Sequence, residues 1–203
     1  MRSSFTATLA ALFIGAEAGR HAGSCSDRAI QGVADFNQNR YSGRWFEIAK
    51  EADFYDEDFS CSTEDIVVNF NGTVTIAKSN YSLDYEWEQK ELNAILARGK
   101  LGEYIAFGEE ETPNRDGNTD FYVLATDYES WAVEYICIDL VPGRVYFDGL
   151  SIKGRTRELS QDTTSIIELL IASRIPDYDF DNLHNIVQCR VCPYQGIPIP
   201  EAQ

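Results

Sequence analysis

Tyr41-Ser42-Gly43-Arg44-Trp45-Phe46-Glu47-Ile48-Ala49-Lys50 decides the fold of this 203-residue chain. A glycine stands two residues ahead of a tryptophan at the head of an amphipathic run, and on a β-strand successive side chains point to opposite faces. Trp45, Glu47 and Ala49 then share one face, and Phe46 and Ile48 the other. Gly43 supplies the unusual backbone geometry of the turn into the strand, and Trp45 plugs the floor of a barrel whose wall begins here. A Gly-x-Trp triplet also arises in β-proteins by chance, so its weight depends on what surrounds it.

Outward from that strand, short β-type segments follow one another with turn signals between them, the spacing of an all-β chain. The reading places strands over 44–50, 63–70, 73–80, 91–97, 103–108, 120–126, 131–140 and 144–153. Asn71-Gly72 is a two-residue hairpin signal, because both residues tolerate positive φ. One helix is predicted over about 163–173, with Ile166, Ile167, Leu169, Leu170 and Ile171 as a wide apolar face and Asp162 and Ser165 as capping candidates. A short segment over 184–187 can pair as a ninth strand. Eight antiparallel strands and one helix packed outside make an all-β, up-and-down barrel with room for one small ligand.

The chain is long enough for one domain with a sizeable core and too short for two. Met1-Arg2, the apolar stretch from Phe5 to Ala16 and the small-residue site Ala16-Glu17-Ala18 read as a secretory signal peptide over 1–18. An N-terminal arm over 19–40, the barrel domain over 41–192 and a tail over 193–203 complete the organisation. No later segment approaches the ~18 uninterrupted apolar residues of a membrane span. The formal net charge of -16 makes nucleic acid and anionic membranes poor partners. The acidic runs, Glu51 to Asp58, Glu109-Glu110-Glu111 and Asp177 to Asp181, read as solvated loops. Asn71-Gly72-Thr73 and Asn80-Tyr81-Ser82 are glycosylation sequons at Asn71 and Asn80. Five cysteines, Cys25, Cys61, Cys137, Cys189 and Cys192, imply two bridges and one odd thiol in an oxidising compartment.

Two further stretches give the opening run its context. Phe121-Tyr122-Val123-Leu124-Ala125-Thr126-Asp127-Tyr128 leads into Trp131-Ala132-Val133-Glu134-Tyr135-Ile136-Cys137, and Gly154-Arg155-Thr156-Arg157-Glu158-Leu159 follows the last predicted strand. With the Gly43-Arg44-Trp45 run, these three separated places resemble the lipocalins, and the resemblance spans most of the mature sequence. Thr126-Asp127-Tyr128 looks like the turn between the sixth and seventh barrel strands, and Arg155 matches the arginine that family members stack on the Gly-x-Trp tryptophan. A guanidinium over an indole face gains ~0.5 to 2 kcal/mol as it is desolvated.

Within that family the resemblance is to the branch holding apolipoprotein D, the insect bilin-binding proteins and the crustacean crustacyanins. It implies a bridge from Cys25 to Cys137, and one from Cys61 to either Cys192 or Cys189. Cys192 precedes Pro193, as the tail cysteine does in several members, which favours Cys61–Cys192.

The same registration implies a lining for the barrel interior. Fixing Arg155 inward puts Lys153, Ser151, Gly149 and Phe147 on the inner face of the last strand; Phe121, Val123 and Ala125 face in on the sixth, Ile66 and Val68 on the second, Ile76 and Lys78 on the third. Two inward lysines require a carboxylate, water at the mouth, or an acidic group on the ligand. Either the ligand is an amphiphile with an acidic group, or a strand is registered one residue off, or Glu47 or Glu134 neutralises the charge.

No hydrolase or phosphoryl-transfer motif is present. Cys189-Arg190-Val191-Cys192 spells C-x-x-C, but it lies in a tail and has no second pair to complete a zinc site, so no metal is expected. His184 reads as an ordinary strand-edge residue. The resulting expectation is a secreted, extracellular, non-enzymatic lipocalin that carries one small hydrophobic ligand, a lipid, fatty acid, bilin or carotenoid pigment, with no cofactor beyond such a bound chromophore or lipid. Assembly into a homo- or hetero-oligomer is compatible with it. Two other classes stay open: a secreted protein-interaction module using the barrel surface, and a catalytic lipocalin, which would need a free thiol pointing inward.

Overall fold

The computed structural model describes residues 20–51, 59–82, 87–96, 103–107, 118–190, 192 and 194. The leader over 1–18, most of the tail over 193–203 and the acidic runs at 52–58 and 109–111 lie outside the described residues. Eight long strands follow one another: β2 (Gly43–Glu51), β3 (Phe59–Val68), β4 (Val74–Ser82), β5 (Trp87–Leu96), β6 (Glu103–Phe107), β7 (Asn118–Thr126), β8 (Trp131–Val141) and β9 (Val145–Gly154). Each pairs antiparallel with the next, and β9 also pairs with β2 from Phe46–Gly154 to Lys50–Ser151, which sets the first and last long strands side by side. Two three-residue strands flank this barrel. β1 (Arg20–Ala22) adds to β9, and β10 (Leu183–Asn185), in the region read as a ninth strand, adds to β2 with His184 opposite Lys50.

Register shifts interrupt the alternation in β2, β3, β7 and β8, and two of them decide which side chains face inward. In β2 the register with β9 shifts between Glu47 and Ala49, and in β7 the register with β8 shifts between Val123 and Ala125. An extra residue in one strand of a pair exchanges its faces beyond that point. Ala49 therefore leaves the inner face that Trp45 and Glu47 occupy and packs outside with Leu124, Val133 and Ile152. The reading that put Ala125 inward is corrected for the same reason: Ala125 stands opposite Val133, which belongs to that outer cluster.

The outer cluster is covered by α2 (Gln161–Arg174), whose first turn is capped by Ser160 accepting from the Thr163 N–H, in place of Asp162 or Ser165. Its buried stripe is Ile167 and Ile171, one turn apart, continued by Ile175. The predicted wide face narrows accordingly, since Ile166 and Leu169 are exposed. The hairpin between β3 and β4 is also longer than Asn71-Gly72 suggests. Asn69 N–H bonds to Thr73 C=O at 2.8 Å, leaving Phe70-Asn71-Gly72 as a three-residue loop with Gly72 at φ +83°.

The N-terminal arm is tied to the outer wall at several points. Cys25 bonds Cys137 across 112 residues, and Asp148 accepts from Arg28 Nε at 2.9 Å and Tyr135 Oη at 2.8 Å, with His21 Nε2 at 2.8 Å. α1 (Gln38–Tyr41), a single turn capped by Asn37, ends the arm and delivers Tyr41 to the barrel floor.

Candidate functional site

The interior is built in layers, beginning at the end where β2 starts. Gly43 has φ +94°, a left-handed conformation that disfavours any side chain, and Trp45 two residues on is fully buried. Trp45 Nε1 donates to Tyr41 C=O at 2.8 Å. Arg155 lies over the indole, its guanidinium carbon 3.6 Å from the ring centre, and donates to four carbonyls: Arg44 at 2.9 Å, Arg40 at 3.1 Å, Tyr41 at 3.2 Å and Tyr128 at 3.2 Å. The turn that holds the Tyr128 carbonyl is organised by Asp127, whose carboxylate accepts from the N–H groups of Glu129, Ser130 and Trp131 and from the Ser130 hydroxyl. Burial alone would raise the Asp127 pKa, but those donors together bring it below the usual carboxylate value.

On this plug rest Ile66, Val74, Ile76, Val123 and Ala132, all buried, with Val68 and Phe121 at the margin. Ile66, Val68, Ile76, Phe121 and Val123, predicted to line the barrel interior, belong to one cluster with Tyr41 and Trp45, with Val68 and Phe121 only partly buried.

The next layer towards the mouth is charged. Lys153 is fully buried; its ammonium contacts Glu64 of β3 and lies 2.5 Å from Glu134 of β8. Lys78 of β4 stands 3.2 Å from the other Glu64 oxygen, and Tyr41 Oη donates to Glu134 at 2.7 Å. Glu47, buried on β2, lies 3.7 Å from Lys50, which the β2 bulge returns to the inner face opposite Ser151. Among the described residues, three carboxylates therefore meet three ammoniums inside the barrel.

Their environments separate the carboxylates. Burial raises Glu64, yet Lys153 and Lys78 outweigh it and hold its pKa at about 2. Glu134 shares the same lysine, and burial together with the neighbouring Glu64 charge pushes its pKa up. Glu47 is lowered, because Lys50, Lys78 and Lys153 offset its burial. Burial opposes the charge on Lys153, but Glu134 and Glu64 raise its pKa overall; Lys78 is raised chiefly by Glu64.

The lysines at 78 and 153 thus have partners from the chain itself. Glu134 was a neutralising candidate from the sequence; Glu64, Lys50 and Tyr41 were not singled out. The signal for Glu64 was present, since the alternation that sets Ile66 and Val68 inward also reaches Glu64. For Lys50 it was not, because a bulge decides its face. The two lysines differ in exposure: the Lys153 side chain is 0% exposed and that of Lys78 42%.

Above the charged layer, alternation puts Ser151, Gly149 and Phe147 of β9 inward, with Glu134, Ile136 and Ile138 of β8 opposite them. Ser151 Oγ is buried and has no hydrogen-bond partner among the described residues. On the β4 side Asn80 shares the face of Lys78 and accepts from Ser62 Oγ at 2.5 Å. Asn71, the other sequon, is exposed on the floor-end hairpin, where its carboxamide accepts from Thr73 N–H at 3.0 Å.

All five cysteines sit away from this interior. Cys61, at φ +55° in a bulge of β3, is joined to Cys192 under the tail, and Cys189 is the free thiol beside them. No inward thiol is present among the described residues. No described helix is long and apolar enough to cross a membrane.

A family model described as the lipocalin / cytosolic fatty-acid binding protein family matches residues 42–177. Apolipoprotein D of Cavia porcellus is 28% identical over 173 residues, covering 83% of this chain and 86% of that one. Apolipoprotein D of Bos taurus is 27% identical over 186 residues, covering 89% and 93%. Among solved structures, insecticyanin from the tobacco hornworm Manduca sexta superposes with a TM-score of 0.70 at 19% identity, covering 87% of this chain and 92% of that one. Lobster apocrustacyanin A1 gives 0.65 at 21% identity, covering 78% and 83%.

Proposed function

This chain belongs to the lipocalin / cytosolic fatty-acid binding protein family, and from that premise we propose that it is a secreted carrier that encloses one small amphiphile in the upper half of its barrel, polar end first. The observation that carries this reading is the layering of the interior. The floor is occupied by side chains, so a ligand stops at the charged layer, where the Lys78 side chain is partly open to solvent and Ser151 Oγ is a buried hydroxyl in need of a partner. Phe147, Ile136 and Ile138 face the space above it and offer an apolar wall.

An acidic head group fits this arrangement better than a neutral one. It adds a second anion to Lys78 beside Glu64, and a charge-assisted hydrogen bond is stronger than a neutral one. Lys153 plays no direct part, because Glu64 and Glu134 already enclose it. Burial of the apolar body, at ~25 cal/mol per Å2, supplies most of the affinity. A fatty acid or a bilin meets these requirements, and the relatives named for apolipoproteins accord with a lipid. Two disulfides and the Asn71 sequon agree with passage through the secretory pathway.

The test is a fluorescent fatty acid titrated against its alcohol analogue, with parent protein and K78M. The acid is expected to bind one per barrel and to lose affinity in K78M, while the alcohol is little affected. Equal affinity of parent and K78M for the acid would overturn the head-first orientation.

A further inference from the structure

Where the tail crosses the outer face of β2 and β3, three sulfurs meet. Cys61 and Cys192 are bonded, and the Cys189 Sγ stands 3.1 Å from the Cys192 Sγ, all three sulfurs lying within 4.8 Å of one another. The approach is imposed by the backbone: Cys192 N–H bonds to Cys189 C=O at 3.3 Å, a turn that sets the two side chains together. Cys189 is half-buried and Cys61 is 1% exposed.

We propose that this cluster is a site of intramolecular thiol–disulfide exchange in which Cys189 is the nucleophile, Cys192 the central sulfur and Cys61 the leaving group. The Cys189 thiolate attacks the Cys192 Sγ; the Cys189–Cys192 bond forms as the Cys192–Cys61 bond breaks, and Cys61 departs as a thiolate that takes up the proton Cys189 gave up. One disulfide and one thiol are present before and after, so no oxidant or reductant is consumed. The Ser60 hydroxyl, 3.7 Å from the Cys61 sulfur, is placed to donate to the leaving group.

The tail stays docked through the exchange, because other contacts hold it. Cys61 N–H bonds to Val187 C=O at 2.8 Å, and Gln188 Nε2 donates to the carbonyls of Glu47 at 2.8 Å and Ser62 at 2.7 Å. Tyr194 stacks edge-on against Phe46 with ring centres 5.1 Å apart. What changes is the location of the thiol: it moves from the half-buried Cys189 to Cys61, buried on β3. The covalent tie between tail and barrel is exchanged for a local C-x-x-C bridge, and the thiol is withdrawn from solvent and from foreign disulfides.

The experiment uses the folded, oxidised full-length protein with no added thiol. Samples are held between pH 6 and pH 8.5, quenched in acid, unfolded in guanidinium at pH 4 with N-ethylmaleimide, digested and mapped by mass spectrometry. The expected result is a Cys189–Cys192 linked peptide with maleimide on Cys61, appearing faster as pH rises because the thiolate is the nucleophile. C189S is expected to keep only Cys61–Cys192 and to carry no maleimide. A parent protein that shows maleimide on Cys189 alone at every pH, with Cys61–Cys192 intact, overturns the proposal. So does a C61S protein, folded by circular dichroism, whose Cys189 and Cys192 stay unbonded in oxidised glutathione.

Discussion

The Arg155 guanidinium carbon stands 3.6 Å from the centre of the Trp45 ring, and the same guanidinium donates to four carbonyls of the residues around it. One side chain thus stacks on the plug and satisfies the backbone that surrounds it. A lysine reaches one of those carbonyls at best and offers no planar face. R155K should therefore lose about 2–3 kcal/mol in urea unfolding, with bound hydrogen bonds to a charged group the main loss. W45A, which empties the floor, should lose about 3–5 kcal/mol. A parent-like midpoint for R155K would mean that the stack is not what holds the floor.

The charged layer makes a different prediction, because its members are worth less as a group than each is to the others. K153M leaves Glu64 and Glu134 buried without their shared cation and should destabilise by about 3–5 kcal/mol. Adding E134Q to K153M removes the carboxylate left without a cation, while Glu64 keeps Lys78, and should restore most of that loss. Thermal unfolding of the single and double variants measures both; a double variant no better than K153M would contradict the electrostatic account.

Acid sensitivity follows from Glu64. Its folded pKa of about 2 is below its ordinary value of 4.5, so its contribution is present above pH ~4.5 and is lost as pH falls towards 2. Asp127 is depressed too and adds to the same acid limb. Glu134 is shifted upward and works with the opposite sign, favouring the fold at low pH and losing that contribution as pH rises through its folded pKa. E64Q should flatten the fall in stability between pH 4.5 and 2, whereas E134Q should leave that limb in place. Urea midpoints taken across this range decide between them.

The two sequons should behave differently. Asn71 is exposed on a turn, whereas Asn80 faces the way Lys78 faces and is engaged by Ser62. In protein secreted from a glycosylating host, peptide mapping should find glycan on Asn71 and none on Asn80, and N71Q should run as a single unglycosylated species. Glycan on Asn80 of the folded protein would contradict the inward placement of that face.

Much of this fold was legible in residues 41–50, because a strand with Trp45 on one face and Phe46 on the other admits few roles, and Arg155 and Asp127 appear downstream where a plugged barrel needs them. The pairing of Cys61 with Cys192 was reached through the family resemblance rather than through spacing. What the pattern hid were the places where β-sheet regularity breaks. The bulges at Ile48 and Leu124 reverse the faces of Lys50 and Ala125, and alternation carries no mark of an inserted residue. β1 was hidden because three residues are too few to show a period. Glu64 could have been found, since the registration that turned Ile66 inward applies two residues earlier; the hydrophobic pattern drew attention away from an acidic residue at a core position.

The most direct measurement of the account is the occupancy of the barrel. Protein isolated from its natural source, examined by native and then denaturing mass spectrometry, should carry one small amphiphile per chain that is released on unfolding. Rebinding of that molecule, if it is acidic, should weaken roughly tenfold to a hundredfold in K78M, as the loss of about 1.5–3 kcal/mol from a charged hydrogen bond requires. A chain that arrives bare and shows no saturable binding of fatty acids, bilins or carotenoids, yet captures a protein partner stoichiometrically, would contradict the carrier reading.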